Sequence, residues 1–207
     1  MRGNEKKFTK IQQKRLEVFN NVRSKLIEEG YKEKNITITP IKANIMVLVT
    51  TVPICIICTI LFWTIYMKGK GFFIGDISVL GVFWIMMVIG IIIHELIHGL
   101  FWSLSTKEKW KSIGFGVDWG TITPYCTCNE ELKIKNYAIA VAMPTIILGV
   151  IPYLIALITG NLFLALFGII QLMGGGGDLY ILWLIRKEKN ALLLDHPYLV
   201  GCVSFEK

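Results

Sequence analysis

Charge is scarce in this chain of 207 residues: 18% are Asp, Glu, Lys or Arg, against about 25% in soluble globular domains. The shortage is uneven. Residues 44–67, 79–104, 137–158 and 161–185 contain not one Lys or Arg. Disorder and a coiled coil both need abundant polar or charged residues, so both are excluded. The five cysteines are too few and too scattered for a secreted disulfide scaffold. Cys55 and Cys58 form a C-x-x-C pattern inside an apolar stretch with no histidine nearby, which reads as small packing residues. No internal repeat is visible, which speaks against a self-sufficient transporter built from repeats. The only low-complexity run is Gly174 to Gly177, and no G-K-[ST] follows it to make a phosphate loop.

What the chain has instead is apolar length. Hydrophobic residues make up 54% of it and the mean hydropathy is +0.57. The four stretches named above each reach the roughly 20 residues a helix needs to cross a hydrocarbon core of about 30 Å. The formal net charge of +7 would suggest nucleic acid if the basic residues formed one face of a folded domain; here they flank the apolar stretches, which points to a lipid bilayer. With four spans, 20 of the 22 Lys and Arg fall on one side and two in the 68–78 loop on the other. The positive-inside rule then predicts both termini in the cytoplasm, with the first span an uncleaved anchor. The expected fold is an all-α membrane protein of four transmembrane helices, with a small cytoplasmic β-hairpin between helices 2 and 3. It divides into a basic amphipathic arm (1–43), a membrane domain (44–185) and a cytoplasmic tail (186–207). In the arm, Ile11, Leu16, Phe19, Val22, Leu26 and Ile27 recur at an approximately helical period. Either a solvated helix with one packed face or a helix lying on the inner leaflet would give that pattern.

The second span ends in His94-Glu95-Leu96-Ile97-His98-Gly99. Residues four apart share a helical face, so His94 and His98 can direct ring nitrogens at one metal ion while Glu95 stands beside it as a general base. A charged group near the middle of a membrane helix costs about 2.5–3.5 kcal/mol, and no Lys or Arg in any span can pair with Glu95. A catalytic zinc has three protein ligands and an open position. Asp178 in the fourth span is the third candidate: counted from the cytoplasmic ends of the two spans at 1.5 Å per residue, it lies about 11 Å deep, between His98 at about 9 Å and His94 at about 15 Å. One divalent cation would offset both buried carboxylates. The glycines before Asp178 are poor helix formers and predict either a loosened helix or a close approach of another backbone; small-residue helix packing is the plainer alternative.

Residues 110–126 read as a β-hairpin with Gly120 in its turn, placed at the face where the site opens. It is either a connector or an edge that holds a substrate extended. Cys126 and Cys128 fall on one side of its second strand, without a second pair to complete a metal site. Asp195 and His196 follow the fourth span closely enough to approach the site, Asp195 as a group that caps or positions a ligand.

The His94-Glu95-x-x-His98-Gly99 helix, Tyr125-x-Thr127-Cys128, Pro144 and the Gly177-Asp178 pair resemble the small bacterial membrane proteins grouped as putative zincin peptidases. More distantly they are similar to site-2-type intramembrane zinc metalloproteases. The resemblance covers residues 81–195. It implies a bacterial cell-membrane location and Tyr125, Cys128, Pro144 and Gly177, with Asp195, as residues that support the ligands or touch substrate. The expected function is a zinc-dependent membrane endopeptidase. Zn²⁺ held by His94, His98 and Asp178 would activate a water, and Glu95 would take its proton and pass it to the leaving amine; the substrate would be a membrane protein or peptide. The alternative is a non-hydrolytic metal-binding membrane protein, a regulator or transport accessory, for which Glu95 would be dispensable.

Overall fold

A computed structural model describes residues 10–68, 77–118 and 123–207. The turn expected at Gly120 and most of the 68–78 loop lie outside the described residues. Among the described residues the order is α1 (Lys10–Glu28), β1 (Lys32–Ile38), α2 (Pro40–Phe62), α3 (Ile77–Ser105), β2 (Ile113–Asp118), β3 (Thr123–Cys128) and β4 (Leu132–Lys133). Then come α4 (Ile134–Pro144), α5 (Ile151–Thr159), α6 (Leu162–Gly174), α7 (Gly176–Ile185), β5 (Leu192–Asp195) and β6 (Val200–Glu206). Wide turns of π-helix extend α2 over Trp63–Met67 and join α4 to α5 over Thr145–Val150.

Three helical stretches are long and apolar enough to cross a membrane: Lys42–Tyr66, Leu80–Ser105 and Ile134–Thr159. The pair α6 and α7, bent by 45° at Gly175, makes a fourth if counted as one span. Their surfaces carry exposed Ile, Leu, Val and Trp side chains, as a lipid-facing bundle requires. Pro40 at the first turn and the Thr39 hydroxyl, which accepts from the Lys42 N–H, start α2. Gly160 ends α5 at φ +70°, and the Asn161 side chain then caps α6 by accepting from the Leu164 N–H at 3.0 Å. Two residues suffice to reverse the chain there.

The all-α expectation needs one correction. Besides the hairpin of β2 and β3, the chain builds a four-stranded antiparallel sheet in the order β1-β6-β5-β4, so the arm and the tail meet in one sheet. Alternation assigns its two faces. Leu193 and Cys202 point to a cluster with Trp102, Tyr137 and Ile185 at the ends of α3, α4 and α7. Leu194, Val203 and Phe205 point the other way, onto Leu26, Phe19 and Val22 of α1. The amphipathic helix of the arm is therefore one with a packed face. Gly201, at φ +115°, could not carry a side chain, because a Cβ would stand 2.3 Å from the Ile36 carbonyl oxygen of β1.

Glu188, after α7, ties the sheet together. Its carboxylate accepts from the Lys34 ammonium of β1 at 2.7 Å and from the Ser204 hydroxyl of β6 at 3.0 Å. Burial by itself would raise its pKa, but the hydrogen bonds from Lys34 and Ser204 prevail and hold it below the ordinary value. A depressed carboxylate stabilises the fold above its unfolded pKa, and that contribution is lost as the pH falls through the folded one. Glu188→Gln should therefore lower stability by about 1–2 kcal/mol at neutral pH, since Lys34 is largely exposed and keeps its hydration. In thermal melts of the detergent-solubilised protein, the gap between wild type and variant should close as the pH is lowered below 4.

Candidate metal centre

The H-E-x-x-H segment lies in the second half of α3, where helical geometry sets His94 and His98 on one face, their rings edge-on with centroids 4.9 Å apart. Asp178 stands in the first turn of α7. Its Oδ2 is 3.0 Å from His94 Nε2 and its Oδ1 3.4 Å from His98 Nε2. One ligand atom from each of the three lies within 4.8 Å of the others, and among the described residues no other His, Cys, Asp or Glu group does this. Four ligands at the usual zinc distances of about 2.0–2.1 Å around a tetrahedron are separated by roughly 3.3 Å. The donor set and its spacing thus fit a zinc ion.

Neighbouring groups fix these donors. His98 is buried, and its Nδ1 is 2.9 Å from the Ala140 carbonyl oxygen of α4. A carbonyl only accepts, so Nδ1 carries a proton, and Nε2, which faces Asp178, is the nitrogen through which the ring would hold a metal ion. The Trp102 indole, one turn further along α3, stacks on the His98 ring at 5.3 Å and 19°. Glu95, beside the pair, interacts with the backbone N–H of Cys126 in β3. The hairpin comes this close because residue 99 is glycine: a Cβ there would meet the Phe115 ring at 2.5 Å.

The glycine run does two things. Gly175 and Gly176 are close-approach positions, where a Cβ would stand 2.1 Å from Thr145 Oγ1 and 2.4 Å from Thr51 Cγ2. Gly174 and Gly177 face open space, with nothing within 4 Å. The helix bends between them and delivers Asp178 to the histidines. Gly175→Ala should consequently displace α7, lowering stability by about 1–3 kcal/mol and weakening zinc retention. Gly177→Ala meets no obstacle and should keep both, gaining as much as about 1 kcal/mol from helix propensity. Thermal melts with elemental analysis on the two variants check this contrast.

The remaining residues singled out from the sequence are dispersed around the centre. Asp195, at the end of β5, accepts from the Tyr137 hydroxyl at 2.8 Å and the Cys128 N–H at 3.4 Å. Tyr137 in turn packs against Trp102 at 5.7 Å, so Asp195 is joined to His98 through two rings. Burial raises the Asp195 pKa to about 6, against the opposing hydrogen bond from Tyr137 and the charge of Arg15. Cys128 is buried, its thiol pushed up to about 12 chiefly by burial, and it remains a free cysteine, as does Cys126. Tyr125 does not reach the ligands: it lies on the other face of the hairpin, under the Arg15 guanidinium at 4.7 Å and over Gly116. Pro144 is buried at the end of α4, where the π-helical turn begins. His196 accepts from the Tyr198 and Leu199 N–H groups in the β5–β6 turn and takes no part in the centre.

The Ala140 carbonyl and the Trp102 ring escaped the sequence reading. A backbone acceptor has no side-chain signature, and a tryptophan in an apolar helix looks like any other. Gly99 stood in plain view beside the motif, its role legible only once the hairpin is placed.

The sequence profile of a family described as putative zincin peptidase matches residues 85–193, just over half of the chain and inclusive of every residue of the centre. No curated protein and no solved structure matches the chain.

Proposed function

We propose, from the premise that the chain belongs to the putative zincin peptidase family, that it is a zinc-dependent membrane endopeptidase that hydrolyses peptide bonds at or within the bilayer. The observation that carries this reading is the convergence of His94, His98 and Asp178 on one point, with Glu95 beside them, inside a bundle of apolar helices. His94 and His98 would hold the zinc through Nε2 and Asp178 through its carboxylate. Bound there, zinc supplies a Lewis acid that polarises a carbonyl and lowers the pKa of water.

The chain's own groups do the rest. Ala140 keeps the His98 proton on Nδ1, so the ring cannot turn or change tautomer without losing that bond. Glu95 is the base: its carboxylate takes one proton as the water oxygen joins the scissile carbonyl carbon. It returns that proton to the amide nitrogen as the C–N bond breaks, leaving an amine and a carboxylic acid, whose remaining proton passes to the amine or to solvent to give the carboxylate. The Cys126 N–H lies near the Glu95 carboxylate on the hairpin side of the helix, the side from which an extended substrate on the β3 edge would approach. The buried Trp102 ring stacks on His98, with the buried Tyr137 ring behind it, and shields that side of the imidazole from water.

Comparison of membrane-peptide termini in cells carrying wild type or Glu95→Gln tests the reading. New termini present with wild type and absent with the variant support it. Identical termini, with cellular function intact, favour a non-hydrolytic metal protein instead.

A further inference from the structure

Beside the metal centre, the face of β2 turned toward α3 and the turn before it carry an apolar patch that none of the described residues fully covers. We propose that this face is a lipid-binding surface, seated in the interfacial layer of the bilayer at the Ser105 end of α3 with anionic phospholipid headgroups around its rim. The inference rests on α3 being a membrane span and stands apart from any peptidase activity.

The structure contains its own depth ruler. The Lys109 ammonium donates to the Leu104 carbonyl oxygen at 3.4 Å, which sets the level of a charged group at the last turn of the span. From that turn the chain folds back: Phe115 packs on Gly99, five residues before Leu104 and so about 7.5 Å deeper along the helix. Helices and loops that lie in a bilayer interface bury their apolar face by about 5–10 Å. Phe115 is nonetheless 46% exposed, Trp110 stacked against it is 51% exposed, and Val117 two residues on is 38% exposed. These side chains continue the lipid-facing stripe of α3, in which Leu100 and Leu104 are exposed one turn apart. Water is a poor solvent for such a patch at that depth, and acyl chains adjoin it on the α3 side.

The rim has the complementary chemistry. Lys109 and Lys111 flank Trp110 and are exposed; Lys107, also exposed, pairs with Glu131 at 3.6 Å, and Glu108 lies between Lys107 and Lys109. Tryptophan with flanking lysines is the composition that settles at headgroup level, where the indole spans the apolar boundary and each ammonium near an anionic surface contributes about 1 kcal/mol.

Cysteine variants in nanodiscs holding one chain each, built from phosphatidylcholine and phosphatidylglycerol, test the proposal with the whole protein. A bimane fluorophore on Val117→Cys should lose at least half its emission when the phosphatidylcholine carries bromine near the top of its acyl chains, whereas the same fluorophore on Lys189→Cys, in an exposed turn, should be unchanged. A charged, water-soluble maleimide should react about tenfold more slowly at Val117→Cys than at Lys189→Cys, with the unsubstituted protein as the blank for native thiols. Trp110→Cys provides a second site with the same expectation should Val117→Cys misfold. Free reaction with maleimide and no bromine quenching would overturn the proposal. Protection without quenching would also overturn it, because the cover would then be protein.

Discussion

Replacing His94 or His98 by alanine should reduce bound zinc from about one ion per purified chain to background, the larger of two effects that follow from the site. Each imidazole is one of only three side-chain donors gathered there, and the described residues offer no fourth His, Cys, Asp or Glu to take its place. The loss reaches beyond the metal. Asp178 lies between the two rings, and removing either leaves a carboxylate in an apolar bundle with half its partners gone. Asp178→Ala should weaken zinc retention strongly without abolishing it, because the paired histidines on α3 persist. Elemental analysis of protein purified without chelators gives all three values, and stoichiometric zinc in a His94→Ala/His98→Ala double variant would remove the basis of the assignment.

The second large effect is on turnover. Glu95→Gln preserves the size of the side chain and can still accept from the Cys126 N–H, but it has no basic carboxylate. General-base catalysis contributes about 10²–10⁴-fold, so hydrolysis should fall by that factor while zinc content stays at the wild-type level. Because Glu95 is adjacent to the ligands without being one of them, metal binding and catalysis separate at this residue. An uncleaved membrane substrate should stay with the variant long enough to be crosslinked to it.

How much of this was legible beforehand depends on the range of the interactions involved. The span boundaries agree with the helices to within three residues, since bilayer thickness imposes a length that the sequence cannot disguise. His94, Glu95 and His98 declare themselves through helical spacing. Asp178 could be matched to them by counting residues from the ends of the two expected spans, and its carboxylate does lie between the two rings. The glycines before it promised either a loosened helix or a close approach of another backbone; the helix does bend at Gly175, but what approaches Gly175 and Gly176 is the side chains of Thr145, Thr51 and Val47, the small-residue packing of the plainer alternative. The four-stranded sheet was invisible for a physical reason. Its outer strand, Lys32–Ile38, is heavily charged at one end, and its central strand, Val200–Glu206, is buried on both faces and so lacks alternation. Only pairing across nearly the whole chain turns these two segments into neighbours. Tyr125 illustrates the opposite failure. It belongs to a stretch that resembles the family, yet in a strand the next residue faces the other way, so Cys126 meets the centre and Tyr125 meets Arg15.

The central claim is a zinc ion held by two imidazoles and one carboxylate in a membrane bundle, and X-ray absorption at the zinc edge of the purified protein tests it most directly. The first shell should contain nitrogen and oxygen only, at about 2.0–2.1 Å, with the outer-shell scattering of two histidine rings and no sulfur. A sulfur shell near 2.3 Å, which would transfer the metal to cysteines such as Cys126 and Cys128, would contradict it.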